Sequence, residues 1–176
     1  MTLVEHVALI GLPGAGKSSV MGFLAPRLAR GYVDLDQAVE ARAGRSVPEL
    51  FASEGEERFR DLESLALAEA LNESSPLVIA CGGGILGRAV NRELLKARAR
   101  VVWLKVDPDE AATRLGPEGI AKRPLLNRGS PAKRLRDLLE SRRGVYAAAA
   151  DATIETGALT PADVAVRIVS LLGPMD

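Results

Sequence analysis

Gly11-Leu12-Pro13-Gly14-Ala15-Gly16-Lys17-Ser18 decides the fold of this chain. The octapeptide satisfies the pattern G-x-x-x-x-G-K-[ST]. It follows an apolar run, Val7-Ala8-Leu9-Ile10, and precedes a stretch of helical composition. Strand, glycine-rich turn and helix are the context this pattern requires. Its glycines allow a tight turn whose backbone N–H groups face inward, and the helix start adds partial positive charge, which together make a cradle for phosphates. In that cradle Lys17 reaches the β- and γ-phosphates and Ser18 offers its hydroxyl to Mg²⁺. Gly14, Ala15, Gly16, Lys17, Ser18 and Ser19 are therefore the expected nucleotide contacts.

Outward from this loop, short β-branched runs alternate with longer Ala- and Leu-rich stretches, the pattern of strand–helix units around a parallel sheet. Five strands are expected, at Glu5–Ile10, Gly31–Asp34, Leu77–Ala80, Val101–Val106 and Ala152–Glu155. Asp107-Pro108, Ser130-Pro131 and Thr160-Pro161 each pair an N-cap side chain with a proline at the first helical position. Ser46 and Glu49 have the spacing of a capping box. From Glu56 to Asn72, Phe59, Leu62, Ala66 and Ala70 recur at helical spacing and predict a stripe packed on the sheet, with Arg60 beside it. Leu115–Gly129 mixes glycine, proline and basic residues without periodicity and is expected to be a loop; long loops in compact domains often serve as lids.

The bulk properties narrow the function. A chain of 176 residues has the length of one domain, here taken as 1–176. Lys plus Arg and Asp plus Glu both number 23, so no net field draws the whole molecule to nucleic acid or to an anionic membrane. Aromatics are 3% of residues, too few for base-stacking platforms. No apolar run is long enough to span a bilayer and the N-terminus lacks a signal-peptide layout, so a cytoplasmic monomer is expected. The lone Cys81 closes an apolar strand and reads as a core residue, while His6 and Trp103 sit in strands and read as packing.

The phosphate cradle leaves the acceptor open, because kinases, GTPases and motor ATPases share it. No Asn-Lys-x-Asp base-reading element occurs late in the chain, which favours ATP. The second strand is expected to end in Val33-Asp34-Leu35-Asp36, with both carboxylates on one side at its C-terminal edge, where open α/β sheets bind ligands. Cys81-Gly82-Gly83-Gly84 ends the next strand, and three glycines let the backbone approach a small ligand closely. An isolated Asp-x-Asp would more often only cap the following helix.

With these landmarks in place the chain resembles the shikimate kinases. The likeness rests on GLPGAGKS, on DLD at Asp34–Asp36, on GRSVPELFASEGEERFRDLE from Gly44 to Glu63, on CGGG at Cys81–Gly84, on KRPLL at Lys122–Leu126 and on RRGVY at Arg142–Tyr146. Ser19 stands where threonine is common in the family, Gly144 replaces a frequent proline, and the match is poorest around Leu115–Ile120. The resemblance implies a three-layer α/β P-loop kinase fold, with a five-stranded parallel sheet flanked by helices, a substrate-binding segment over residues 36–72 and a lid over residues 115–129. It implies ATP-dependent phosphorylation of the shikimate 3-hydroxyl, with Mg²⁺ as cofactor and ATP and shikimate as partners. Lys17, Asp36 and Arg123 would be catalytic; Asp36, Arg60, Gly82, Gly83, Gly84 and Arg143 would hold shikimate; Ser18 and Asp34 would hold the metal. Arg123 would swing over the phosphates as the lid arginine, and Arg114 would stack on adenine. Only one of the adjacent Arg142 and Arg143 can point into a site from a helix, and the reading takes Arg143, leaving Arg142 to solvent, with Arg128, Arg134 and Arg136 as surface charges. A kinase for another small polyol acid such as gluconate, or a ligand-sensing domain without catalysis, are the alternatives.

Overall fold

The structure is a computed structural model that describes residues 5–173; the ends of the expected domain 1–176, residues 1–4 and 174–176, lie outside the described residues. Five strands, β1 (His6–Ile10), β2 (Gly31–Asp34), β3 (Leu77–Ala80), β4 (Ala99–Lys105) and β5 (Ala152–Glu155), form one parallel sheet in the order β2-β3-β1-β4-β5. Every residue of β1 is buried, as expected for a central parallel strand covered on both faces. The helices are α1 (Lys17–Arg27), α2 (Leu35–Ala43), α3 (Val47–Asn72), α4 (Ala89–Arg98), α5 (Pro108–Ala121), α6 (Pro131–Ala149) and α7 (Pro161–Leu172), with a 3₁₀ turn at Ile85–Gly87. Against the sheet, α1 packs with α7 and α3 with α4.

The helix starts form where the local chemistry puts them. The side chains of Asp107, Ser130 and Thr160 accept first-turn N–H groups ahead of Pro108, Pro131 and Pro161. Ser46 and Glu49 exchange both bonds of a capping box. Each such cap is worth about 1 kcal/mol, and together they fix where four chain reversals occur. Phe59, Leu62, Ala66 and Ala70 are all buried along one stripe of α3. That helix starts at Val47, and a break at Gly55 divides it from the stretch beginning at Glu56.

Three expectations are corrected. Strand β4 starts at Ala99, two residues before Val101, because its parallel register with β1 begins at His6↔Ala99. Strand β2 ends at Asp34 as expected, but α2 begins at once, so Asp36 lies in its first turn rather than on the strand edge. Leu115–Gly129 is not loop throughout: α5 continues to Ala121. A break at Gly116 (φ 60°, ψ −179°) occupies a conformation that side chains with a Cβ resist, and Pro117 restarts the helix immediately after it. From Lys122 onward the segment is turn and bend, fastened by the buried Leu126.

Candidate active site

The C-terminal ends of β1, β2 and β3 open into one cavity of about 690 Å³. On its floor, α1 starts at Lys17 behind Gly16 with no side-chain cap, so the first-turn N–H groups are left for a ligand. The Lys17 ammonium donates to Gly11 O at 2.8 Å and Leu12 O at 2.9 Å. Burial pushes its pKa down to about 8, partly opposed by the nearby Asp36 carboxylate. Gly14, Ala15, Gly16, Ser18 and Ser19 line the same wall.

Asp34 has two tasks. One carboxylate oxygen accepts the Asp36 N–H at 3.0 Å and the Gln37 N–H at 3.3 Å, capping α2, and the other accepts the Ser18 hydroxyl. Capping α2 thus engages one Asp34 oxygen and leaves the other to face the phosphate cradle. Asp36, one helical step further, faces the glycine turn: its Oδ1 is 3.3 Å from the place a Cβ on Gly82 would occupy. Burial, reinforced by Asp34, raises the Asp36 carboxyl above the usual carboxylate range, against the pull of Lys17 and Arg123.

Opposite stands α3. Arg60 donates to Glu63 at 2.8 Å and to Glu56 at 3.2 Å, and its guanidinium lies 5.1 Å from the Phe59 ring centroid. A Cβ on Gly84 would meet both terminal nitrogens of Arg60 at 2.6 Å, so a glycine is required for this approach. Glu63 is buried, its Oε1 has no hydrogen-bond partner among the described residues, and burial raises its pKa although Arg60 and Arg142 pull it down. Val47, Phe51 and Phe59 complete an apolar wall beside these charges.

At the other end of the cavity Arg114 donates to Thr156 Oγ1 at 3.1 Å, Thr156 O at 3.0 Å and Gly157 O at 3.3 Å. These three bonds tie Arg114 to the segment that follows β5. Arg123 also reaches the cavity, with Nη1 donating to Gly119 O at 2.7 Å across the last turn of α5.

One expected site residue is misplaced. Arg143 is exposed and does not line the cavity, whereas Arg142 does. The reason is helical phase: Leu135, Leu138, Arg142 and Tyr146 share the inner stripe of α6, and residue 143 falls off it. Arg142 lies four residues before Tyr146, a step that keeps the helical phase, whereas Arg143 lies three before it on the outer side. Reading residue types one at a time also misses Glu63, whose signal is its position three residues after Arg60. Arg128, Arg134 and Arg136 are exposed, as expected of surface charges. His6 and Trp103 are buried, and burial pushes the Cys81 thiol up, away from a nucleophile's range.

A glycine-rich phosphate cradle at the centre of a five-stranded parallel sheet, joined to a second half-site of carboxylate, glycine turn and paired guanidinium groups, defines a P-loop kinase of small molecules. A family model described as Shikimate kinase matches residues 13–173. The shikimate kinase of Symbiobacterium thermophilum is 42% identical over 167 residues, covering 95% of both chains. That of Thermobifida fusca is 44% identical over 93% of this chain and 92% of its own. The solved structure of shikimate kinase from Acinetobacter baumannii in complex with shikimate superimposes with a TM-score of 0.91 at 37% identity, covering 96% of this chain and 93% of that one. This chain belongs to the shikimate kinase family.

Proposed function

We propose that this chain transfers the γ-phosphoryl group of ATP to the 3-hydroxyl of shikimate, giving shikimate 3-phosphate and ADP. The observation that carries the reading is the acceptor half of the cavity. Arg60 on α3 and Arg142 on α6 approach the glycine turn from two separate elements, and Asp36 faces the same turn from α2. Two planar guanidinium groups fix a carboxylate in position and orientation, as a pair of lysines would not. A carboxylate opposite them selects among the hydroxyls of a triol. Gly82, Gly83 and Gly84 offer backbone donors, and the apolar wall suits the ring carbons.

The donor half suits ATP. Gly14 to Ser19 and Lys17 hold the phosphates, Arg123 from the lid meets the transferring group, and Arg114 stacks on adenine. For Mg²⁺, Ser18 Oγ and Asp34 Oδ2 already touch. Two hard oxygen ligands of this kind are what a magnesium site takes from a protein that leaves the rest to phosphates and water. When bound, Mg²⁺ neutralises charge developing on the β- and γ-phosphates.

During transfer the acceptor oxygen bonds to the γ-phosphorus as the bond to ADP breaks, and the hydroxyl proton passes to Asp36 or to the transferred phosphate. Because the transition state in most analyses is loose, Asp36 acts first by holding the hydroxyl in line and second as a base. Burial raises its pKa, which makes this carboxylate a better proton acceptor than an exposed one. Residues 36–72 act as the substrate-binding segment and residues 115–129 as the lid, whose closure excludes water. One chain supplies every residue invoked, which supports action as a monomer. A buried Cys81 without a disulfide partner is compatible with the reducing cytoplasm.

The test is ADP release by purified protein with Mg²⁺ and ATP, comparing shikimate, quinate and gluconate at matched concentrations. Shikimate-dependent release is expected. Release that ignores shikimate, or that gluconate supports equally, defeats the proposal.

A further inference from the structure

The glycine turn after β3 keeps all three of its carbonyls occupied. Ile85 N–H donates to Gly82 O at 3.1 Å and Gly87 N–H to Gly84 O at 3.0 Å, while the Tyr146 hydroxyl donates to Gly83 O at 2.5 Å. The first two bonds close the turn locally. The third comes from α6, 63 positions along the chain, and it is a side-chain bond where the others are backbone bonds. Tyr146 is 1% exposed, and its ring lies 5.6 Å from that of Trp103 at an interplanar angle of 37°, so the hydroxyl is held in place by packing.

In a trans peptide the carbonyl and the following N–H point in opposite directions. Fixing Gly83 O toward α6 therefore fixes the Gly84 N–H on the other side of the same plane. Gly84 is the residue whose Cα faces the Arg60 guanidinium. On the α6 side, Arg142 lies one helical turn before Tyr146, and its Nη1 is 3.2 Å from the place a Cβ on Gly83 would occupy.

We infer that Tyr146 is a positioning residue for the acceptor. Its hydroxyl locks the Gly83–Gly84 peptide with the carbonyl toward α6 and the N–H toward the acceptor half of the cavity, and it sets the spacing between this turn and Arg142. The inference rests on the shikimate reading above. Between two glycines the peptide plane rotates at little steric cost. Without the lock, the rotated plane turns a carbonyl oxygen toward the space that Arg60 and Arg142 reserve for an anion, beside the unpartnered Oε1 of Glu63. Donors held in advance bind better than donors that must first be turned into place.

Tyr146→Phe removes the hydroxyl and keeps the ring. The expected result is a rise in the shikimate KM of about tenfold, the size of one buried hydrogen bond, with the ATP KM within about twofold of wild type. Trp103→Phe loosens the packing that holds the hydroxyl but leaves the hydroxyl and its acceptor present; it should lower Tm and raise the shikimate KM by less than Tyr146→Phe does. A folded Tyr146→Phe enzyme with wild-type shikimate KM overturns the role of Tyr146, as does an equal change in both KM values. Wild-type protein without shikimate-dependent ADP release defeats the proposed function, and this inference with it; shikimate-dependent wild-type turnover beside an unchanged variant defeats the inference alone.

Discussion

Arg142 and Arg143 differ only in helical phase, and replacing each by alanine separates them. Arg142 reaches the cavity, whereas Arg143 stands in solvent. A hydrogen bond to a charged partner contributes about 1.5–3 kcal/mol. With each 1.4 kcal/mol equal to about a factor of ten, Arg142→Ala should weaken shikimate binding by roughly 10- to 150-fold. A solvent-exposed substitution stays within about 0.5 kcal/mol, so Arg143→Ala should change it by about twofold at most. The loss at Arg142 has a second source, because Arg142 is one of the cations holding down the Glu63 pKa. Its removal drives Glu63 further toward the neutral acid and loosens the Glu63–Arg60 pair. Arg142→Lys should fall between, since a point charge keeps the attraction but lacks the fork. The assay is steady-state ADP release at saturating ATP with shikimate varied, and the ATP KM as internal control. If Arg143→Ala raises the shikimate KM more than Arg142→Ala, or both raise it equally, the phase argument fails.

Gly84→Ala should raise the shikimate KM with little change in Tm. The added methyl would meet the flexible tip of Arg60 rather than backbone, so the arginine moves aside at small cost and leaves the acceptor unheld; a large drop in Tm would contradict this. ATP binding above pH 8 should take up protons. In the free protein the Lys17 pKa lies at about 8, and the phosphates of bound ATP draw it back toward that of an ordinary lysine. Calorimetry at pH 9 in buffers of different ionisation enthalpy measures this uptake, and its absence in wild type, or its persistence in Lys17→Met, argues against the assignment. Stability should fall as pH drops below about 6.5, because burial, aided by Arg98, lowers the His6 pKa. The unfolded chain then binds a proton that the folded one resists, so the unfolded state gains as the medium becomes acid. Thermal melts of wild type and His6→Gln between pH 7 and pH 5 should converge; parallel curves would exclude His6 as the cause.

The fold was legible because its punctuation is local. GLPGAGKS needs no partner to specify strand, turn and helix, and each Asp-Pro, Ser-Pro or Thr-Pro pair sets a helix start from two adjacent residues. What escaped depends on phase or on distant neighbours. Two consecutive arginines differ by 100° around α6, and only the register of Leu135 and Tyr146 decides which one faces inward. Gly116 and Pro117 look like loop composition, yet a single left-handed residue followed by a helix-starting proline resumes α5. Asp34 serves both a helix cap and the Ser18 hydroxyl because its two oxygens point different ways, a division no residue pattern encodes. The Tyr146 contact to Gly83 joins positions too far apart in sequence for any local signal to report.

The strand order β2-β3-β1-β4-β5 sets the cradle strand in the middle, with β2 and β3 on one flank and β4 and β5 on the other. Asp34, Asp36 and the glycine turn issue from β2 and β3, while Thr156 and the helix bearing Arg114 follow β5 and β4. Helix α6, between α5 and β5 on the second flank, reaches across with Arg142 and Tyr146 to the glycine turn, so the groups that issue from β2 and β3 form the separately editable part of the acceptor half. Changes confined to those groups should combine additively with changes at Arg114 and Thr156, since distant sites without shared partners couple weakly. A lineage or a designer can then retune the acceptor contacts that issue from β2 and β3 while Arg114 and Thr156 on the other flank stay unaltered.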